Sequence, residues 1–384
     1  MKQNTFLVTL LAIMFSILMF NGCEQSQPDI WDGTVADKFS AGVGTAKQPY
    51  EISSGAELAY LARQVNAGNE YADKFFVLTN DIDLNDLEWL PIGNGTYSFS
   101  GNLDGRMHSV INMSITNITY FERHENSDTY TYGLAGLFGS CKDANISNLS
   151  ILDAAIRISD IPEFDYLYVG ILSGSMFVGN GCVVSDIDIT EAQIAFEGTA
   201  NEFGSLHTGG IAGDVQIDPD SELIFEQLNV SAIADFMYNS IHTINLGGIA
   251  GHVTNHSAFW CRGFTNELSV LIQPEHNNSN VGAFGALLLT TDPEKVTISS
   301  IGKGNSIVKS NFIAPDVNVY AICGSVEYSS EQAEGLGYSL YSLRGCVMPV
   351  DDTAAFSEPM AVLYVIPEGV LYQEDDCVGC QPAE

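Results

Sequence analysis

Cationic side chains are scarce in this sequence: 14 lysines and arginines stand against 48 aspartates and glutamates, giving a formal charge of −34. No basic cluster interrupts the acidity, so a phosphate backbone would be repelled and nucleic-acid partners are excluded. The acidic excess itself reads as solvation of an elongated, exposed protein. Catalytic signatures are lacking as well. Zinc proteolysis needs His-Glu-x-x-His on a helix, and the nearest string, His124-Glu125-Asn126-Ser127-Asp128, closes on the wrong residue in a polar loop. There is no Gly-x-Ser-x-Gly elbow and no Gly-x-x-x-x-Gly-Lys phosphate loop. Asp81-Ile82-Asp83-Leu84-Asn85 starts like a calcium loop, but Asp86 stands where its glycine belongs and Ile92 where its glutamate belongs. These patterns name no catalytic residue, no cofactor and no metal.

What the chain does contain is repetition. Gly209-Gly210-Ile211-Ala212-Gly213 returns as Gly247-Gly248-Ile249-Ala250-Gly251. Looser copies are Gly136-Leu137-Phe138-Gly139, Gly170-Ile171-Leu172-Ser173-Gly174, Gly282-Ala283-Phe284-Gly285 and Ala321-Ile322-Cys323-Gly324. The closing glycines, Gly139, Gly174, Gly213, Gly251, Gly285 and Gly324, are separated by 35, 39, 38, 34 and 39 residues, a period that marks solenoids and propellers. Short β-branched runs follow the blocks, such as Ile146–Ile151 and Val184–Ile189, with apolar and polar residues alternating as in a strand buried on one face. No helical period appears between the blocks. Two short strands and their turns per repeat predict an all-β parallel β-helix in which each repeat supplies one or two rungs. A propeller would need four strands and recurrent aromatic signatures in each repeat, and neither is evident.

The N-terminus has its own logic. Lys2, an apolar run from Phe6 to Phe20 and then Asn21-Gly22-Cys23 predict a signal peptide over residues 1–22, the run being short for a membrane span. Gly22-Cys23 resembles the lipobox of bacterial lipoproteins, which implies lipidation of Cys23, an acyl anchor in the envelope membrane and a tether over 23–30. An ordinary signal peptide followed by an incidental cysteine is the alternative. Of the eight cysteines, seven remain after Cys23. Cys141, Cys182 and Cys261 fall in or near strands and read as small buried hydrophobes, while Cys377-Val378-Gly379-Cys380 reads as a local or tail-pinning disulfide.

One helix is expected. Ser54 and Glu57 make a capping box, Leu58, Leu61 and Val65 share a face, and Gly68 ends it. Its apolar stripe would cover the open end of a β-helix, which needs a cap.

The ordered set Gly44-Thr45, Pro49-Tyr50-Glu51-Ile52, Glu57-Leu58-Ala59-Tyr60-Leu61-Ala62, Asp81-Ile82-Asp83-Leu84, Trp89-Leu90-Pro91-Ile92-Gly93 and Phe99-Ser100-Gly101-Asn102-Leu103-Asp104-Gly105, followed by Gly136-Leu137-Phe138-Gly139, resembles the GLUG-motif proteins. The likeness spans residues 31–325 and leaves 326–384 as a closing segment. It implies an adhesin-like bacterial surface protein, placed at the outer membrane and cell surface, whose glycines Gly136, Gly139, Gly174, Gly210, Gly213, Gly248, Gly251, Gly282, Gly285 and Gly324 are structural. The function expected is non-catalytic binding of host or environmental glycans or proteins.

Three further sets of residues are candidates for chemistry. Asp186 and Asp188, with Asp214 a repeat later, could stack carboxylates on neighbouring rungs for polysaccharide cleavage, although solvated strand positions explain them more simply. His207, His242, His252 and His256 could gather into a metal cluster or scatter over the surface. Tyr166, Tyr168 and Tyr238 could turn outward as platforms for sugar rings or pack inward.

Overall fold

The computed structural model describes residues 28–328, apart from 126–127, 160–163, 199–202, 239–240, 256–257, 273–278, 283–284, 291–295, 300–317 and 321–322. Cys23, the signal segment, most of the tether, the closing segment beyond Tyr328 and the Cys377/Cys380 pair lie outside the described residues.

The chain winds into a parallel β-solenoid. Twelve, seven and six strands make up its three sheets, and successive turns of the chain pair in parallel register within each. The exception is a hairpin, in which Tyr120–Glu125 runs antiparallel to Asp128–Ala135. A representative coil takes Phe203–Gly209 in the seven-stranded sheet, Ala212–Ile217 in the six-stranded sheet and Glu222–Tyr238 in the twelve-stranded sheet. Each repeat is therefore one coil of three strands, where the sequence suggested two. The strand that the pattern hid is the one ending at the glycine block, such as Tyr166–Gly170 or Ile241–Gly247.

The glycine block is a corner. Between the seven- and six-stranded sheets the chain spends two residues, Gly136-Leu137, Ile171-Leu172, Gly210-Ile211 and Gly248-Ile249 in successive coils. The second residue of each pair, Leu137, Leu172, Ile211 or Ile249, is buried in one continuous core. The glycine two places further on is required by contact rather than by dihedral angle. A Cβ on Gly213 would lie 2.3 Å from the backbone nitrogen of Val169, and one on Gly251 would lie 2.4 Å from that of Thr208. Neither neighbour can yield without moving a strand.

Strand register corrects one repeat boundary. Gly285 pairs with Ala250, so Gly251 stands opposite Ala286 and the copy at Gly282-Ala283-Phe284-Gly285 is displaced by one residue. Gly324 returns to the glycine position, because Cys323 pairs with Gly285 and Ser325 with Leu287.

Helix α1, Gly55–Asn66, seals the N-terminal end. Ser54 Oγ accepts from the backbone N–H of Glu57, but the Glu57 carboxylate reaches one residue further back than a capping box requires. It accepts from the N–H of Ser53 at 2.8 Å and from that of Ser40 at 2.6 Å, and so ties the entering loop to the cap. Burial pulls this carboxyl upward, yet the Ser53 and Ser40 hydrogen bonds outweigh it and hold it below its ordinary value. Leu58, Leu61 and Val65 are buried in the same core cluster as Ile52, Phe76 and Leu78. Gly68, at φ +101°, ends the helix with its N–H on the Val65 carbonyl.

The twelve-stranded sheet bends where non-glycine residues adopt left-handed backbone. Asn148, Asp186 and Gln227 occupy equivalent places on successive coils at φ of 52–53°. Asn and Asp tolerate this conformation better than most residues, which accounts for two of the three. Cys141, Cys182 and Cys261 are buried, and the Cys182 thiol donates to the Ala144 carbonyl.

Candidate functional site

In most strands, alternation separates an inner from an outer face, and the outer face meets solvent. The seven- and six-stranded sheets depart from this beside their shared corner. Leu167 and Val169 enter the core, so Tyr168 between them faces outward. Leu206 and Thr208 likewise turn inward and leave His207 outward, while Val215 and Ile217 do the same for Asp214. Yet His207 is 5% exposed and Asp214 is 0% exposed. The outer faces of the two sheets meet each other across the corner and form a polar seam.

Two ladders build this seam. Tyr168, His207 and Asn245 stand in register along the seven-stranded sheet. Ser140, Ser175, Asp214 and His252 stand in register along the six-stranded sheet. The rings of His207 and His252 are 5.0 Å apart between centroids, and that of Tyr168 is 5.4 Å from His207. Asp214 accepts from His252 Nδ1 at 2.6 Å and from Gln216 Nε2 at 2.8 Å, so both carboxylate oxygens are engaged. Asn245 Nδ2 lies 3.3 Å from His207 Nδ1. An amide nitrogen can only donate, so Nδ1 accepts and the His207 ring is neutral.

Electrostatics follow from this burial. Desolvation pulls the Asp214 carboxyl upward, but the hydrogen bond from His252, the two imidazoles and Gln216 bring it below its ordinary value. Desolvation first and His252 second depress His207 to about 3, against a smaller opposing pull from Asp214. Burial and then the Asp214 carboxylate push the Tyr168 phenol up. The seam is thus a buried anion held among neutral and donor groups. Ser175, 2% exposed and next to Asp214 on its ladder, has a hydroxyl with no hydrogen-bond partner.

At the seam's edge the cluster becomes aromatic. Tyr166 and Tyr168 stack with an interplanar angle of 3° at 6.0 Å, and both are partly exposed. Tyr166 lies a further 6.0 Å from Tyr130 and 6.2 Å from His207.

The candidates named from sequence separate accordingly. Asp214, His207, His252, Tyr166 and Tyr168 converge here. Asp186 and Asp188 do not, because they lie on the outer face of the twelve-stranded sheet. Asp186 is an exposed left-handed bend residue, and Asp188 is half-buried and accepts from Thr190 Oγ1 and Asn229 Nδ2. His242 falls in strand Ile241–Gly247, Tyr238 ends strand Glu222–Tyr238, and His256 lies outside the described residues. Among the described residues, no group of three or more His, Cys, Asp or Glu is arranged to hold a metal ion. Asn245, Ser175 and Gln216 join the site unannounced. The signal for Asn245 and Ser175 is a spacing: Tyr168 and Ser175, His207 and Asp214, and Asn245 and His252 are each seven residues apart, astride the glycine corner.

The architecture defines a parallel β-solenoid with a helical cap and one buried polar seam. No family model matches the chain, and no solved structure matches it. A stretch of 196 residues, 49% of this chain, is 29% identical to halomucin of Haloquadratum walsbyi (strain DSM 16790 / HBSQ001). The match spans only 2% of halomucin's length. No helix among the described residues is long and apolar enough to cross a membrane.

Proposed function

We propose that the protein is an exported bacterial envelope protein, lipid-anchored through Cys23 and displayed at the outer membrane, that binds glycans or proteins without cleaving them, as an adhesin-like relative of the GLUG-motif proteins. The observation that carries the binding role is the stacked Tyr166–Tyr168 pair, which lies partly exposed at the edge of the seam instead of in the core. Exposed aromatic surface with polar groups beside it suits sugar rings and apolar protein patches, and a solenoid extends such a surface along its coils. Glycoside hydrolysis argues the other way, since it needs two carboxyls roughly 5–10 Å apart. Asp214 is the one carboxylate buried in the seam among the described residues, and both its oxygens are occupied.

Polysaccharide cleavage is the second reading, favoured by a histidine, His252, that a buried aspartate orients at 2.6 Å. A glycan and matrix-protein array probed with the mature chain, paired with a reducing-end assay on the same polysaccharides, separates the two. Binding that weakens about tenfold in Tyr166→Ala, with no reducing ends released, is expected. Release that vanishes in Asp214→Asn, or in Asp186→Ala or Asp188→Ala, would establish cleavage instead. Mass spectrometry of the mature N-terminus, expected to show a diacyl or triacyl Cys23, tests the anchor.

A further inference from the structure

The N-terminal cap holds a groove that the seam does not use. It has a volume of about 400 Å³ and lies between α1 and the segment running through Trp89 and Leu90. Trp31 and Trp89, an edge-to-face pair with centroids 5.8 Å apart, lie beneath it, 7% and 1% exposed, so that only an edge of Trp31 reaches the groove's surface. Both indole N–H groups are already spent, that of Trp31 on the Thr34 carbonyl and that of Trp89 on the Leu137 carbonyl, so the tryptophans offer the groove only carbon. On the helix side Ala59, Ala62 and Ala67 keep the space open. Val35 and Leu90, 40% and 57% exposed, carry the apolar surface out to the rim.

The rim has one cation. Arg63 is exposed, but it is held in place by donating from Nη2 to the Ala36 carbonyl and by lying 5.3 Å over the ring of Tyr60. Its remaining N–H groups can serve a ligand. Glu88, the groove's one carboxylate, accepts from the backbone N–H groups of Thr116 and Asn117 and from Thr116 Oγ1, so it is turned to its own loop. In a chain with 48 acidic and 14 basic residues, Arg63 balances Glu88 and leaves the groove formally neutral, with the arginine as the group whose donors remain for a ligand.

We propose that this groove binds a small aromatic carboxylate, with its ring against Val35, Leu90 and the exposed edge of Trp31 and its carboxylate on Arg63. The volume falls at the small end of ligand pockets, about 300–1,000 Å³, which suits a single ring system. An aromatic ring covers the apolar rim and meets the edge of Trp31, which packs in turn on Trp89 below, and guanidinium–carboxylate pairing supplies the direction.

The groove reports on itself, because it holds two of the three tryptophans. In full-length protein carrying Trp260→Phe, titration with 3-phenylpropionate is expected to give a saturable change in tryptophan fluorescence below roughly 10 mM, within reach of a ligand of this size. The neutral 3-phenylpropanamide, and separately Arg63→Gln with the acid, should each weaken binding about tenfold. Ala67→Leu, at an exposed helix end, should fill the groove and abolish the change while circular dichroism stays that of the parent. Leu90→Asp, on the exposed rim, should do the same by placing a negative charge at the mouth. No saturable change with the acid, or equal affinity for acid and amide, or undiminished binding in Ala67→Leu and Leu90→Asp, would overturn the proposal.

Discussion

The outer face of the twelve-stranded sheet and the seam between the other two sheets are written in the same alternating code, yet they are different environments. On the long sheet, outward polar residues such as Asp104, Asp186 and Asp188 remain in contact with solvent, and Asp104 and Asp188 bond to neighbours on their own or the adjacent coil. In the seam, an outward position is buried because a second outer face lies against it. Alternation therefore tells which side of a strand a residue occupies, and the corner tells whether that side is wet. The same residue type, aspartate, is a solvated bend former at 186 and a desolvated anion at 214.

The largest test of this contrast is to delete one carboxylate from each face. Asp214→Ala leaves His252 and Gln216 without their acceptor in a desolvated site and is expected to cost about 3 kcal/mol or more. Asp188→Ala, on a half-exposed strand position, should stay within about 0.5 kcal/mol of the parent. Urea unfolding of the two variants measures both numbers. Equal losses would show that the seam is no drier than the long sheet.

Protonation is the next lever. His207 titrates near its usual 6.5 when unfolded but only at about 3 when folded, so the unfolded chain binds the extra proton between those values. Stability contributed by neutral His207 is complete above pH 6.5 and is lost as pH falls from there toward 3. By pH 4 the loss amounts to about 3 kcal/mol at 1.36 kcal/mol per unit. Asp214, held below its ordinary value, acts in a lower window: its contribution is present above the unfolded value and is lost as pH falls through the folded one. His207→Gln should flatten stability between pH 6.5 and 4 and leave the acid limb below that, as read from thermal midpoints across the range. An unchanged slope in His207→Gln would place the ring in water and break the contrast.

These effects also show what could be seen from sequence. The period of the glycine blocks, the strand alternation around Leu149 and Ile187 and the cap over Leu58, Leu61 and Val65 were legible because each is a local pattern with a fixed physical period. The seven-stranded sheet was not, since its strands run straight into the glycines and look like part of the turn. Asp214, His207 and Tyr168 were each visible, but under three separate headings: acid, metal ligand and platform. Their convergence depends on two outer faces folding together across a two-residue corner, and on coil register that sets Tyr168 beside His207 beside Asn245. Variable loops between coils obscure that register. Only the constant spacing of seven across the corner survives them.

The smallest expected effect completes the contrast from the long sheet's side. Asp186 sits at φ +53°, exposed, on the bend it shares with Asn148 and Gln227. If its role is to supply left-handed backbone, glycine can replace it: the steric cost of a Cβ there is removed while some unfolded-state entropy is added, and the net change should lie within about 0.5 kcal/mol. Valine keeps the Cβ and adds branching that crowds this conformation, so Asp186→Val should lose about 1–2 kcal/mol. An aspartate placed for chemistry gives the opposite ranking in function, since glycine and valine both remove the carboxylate and should then be equally damaging. Thermal midpoints and array binding on the same three proteins decide it. Glycine like the parent and valine below it in stability, with binding retained in both, would assign the carboxylate at 186 to the backbone. The polar chemistry of the fold would then belong to the seam, where a second sheet makes burial possible.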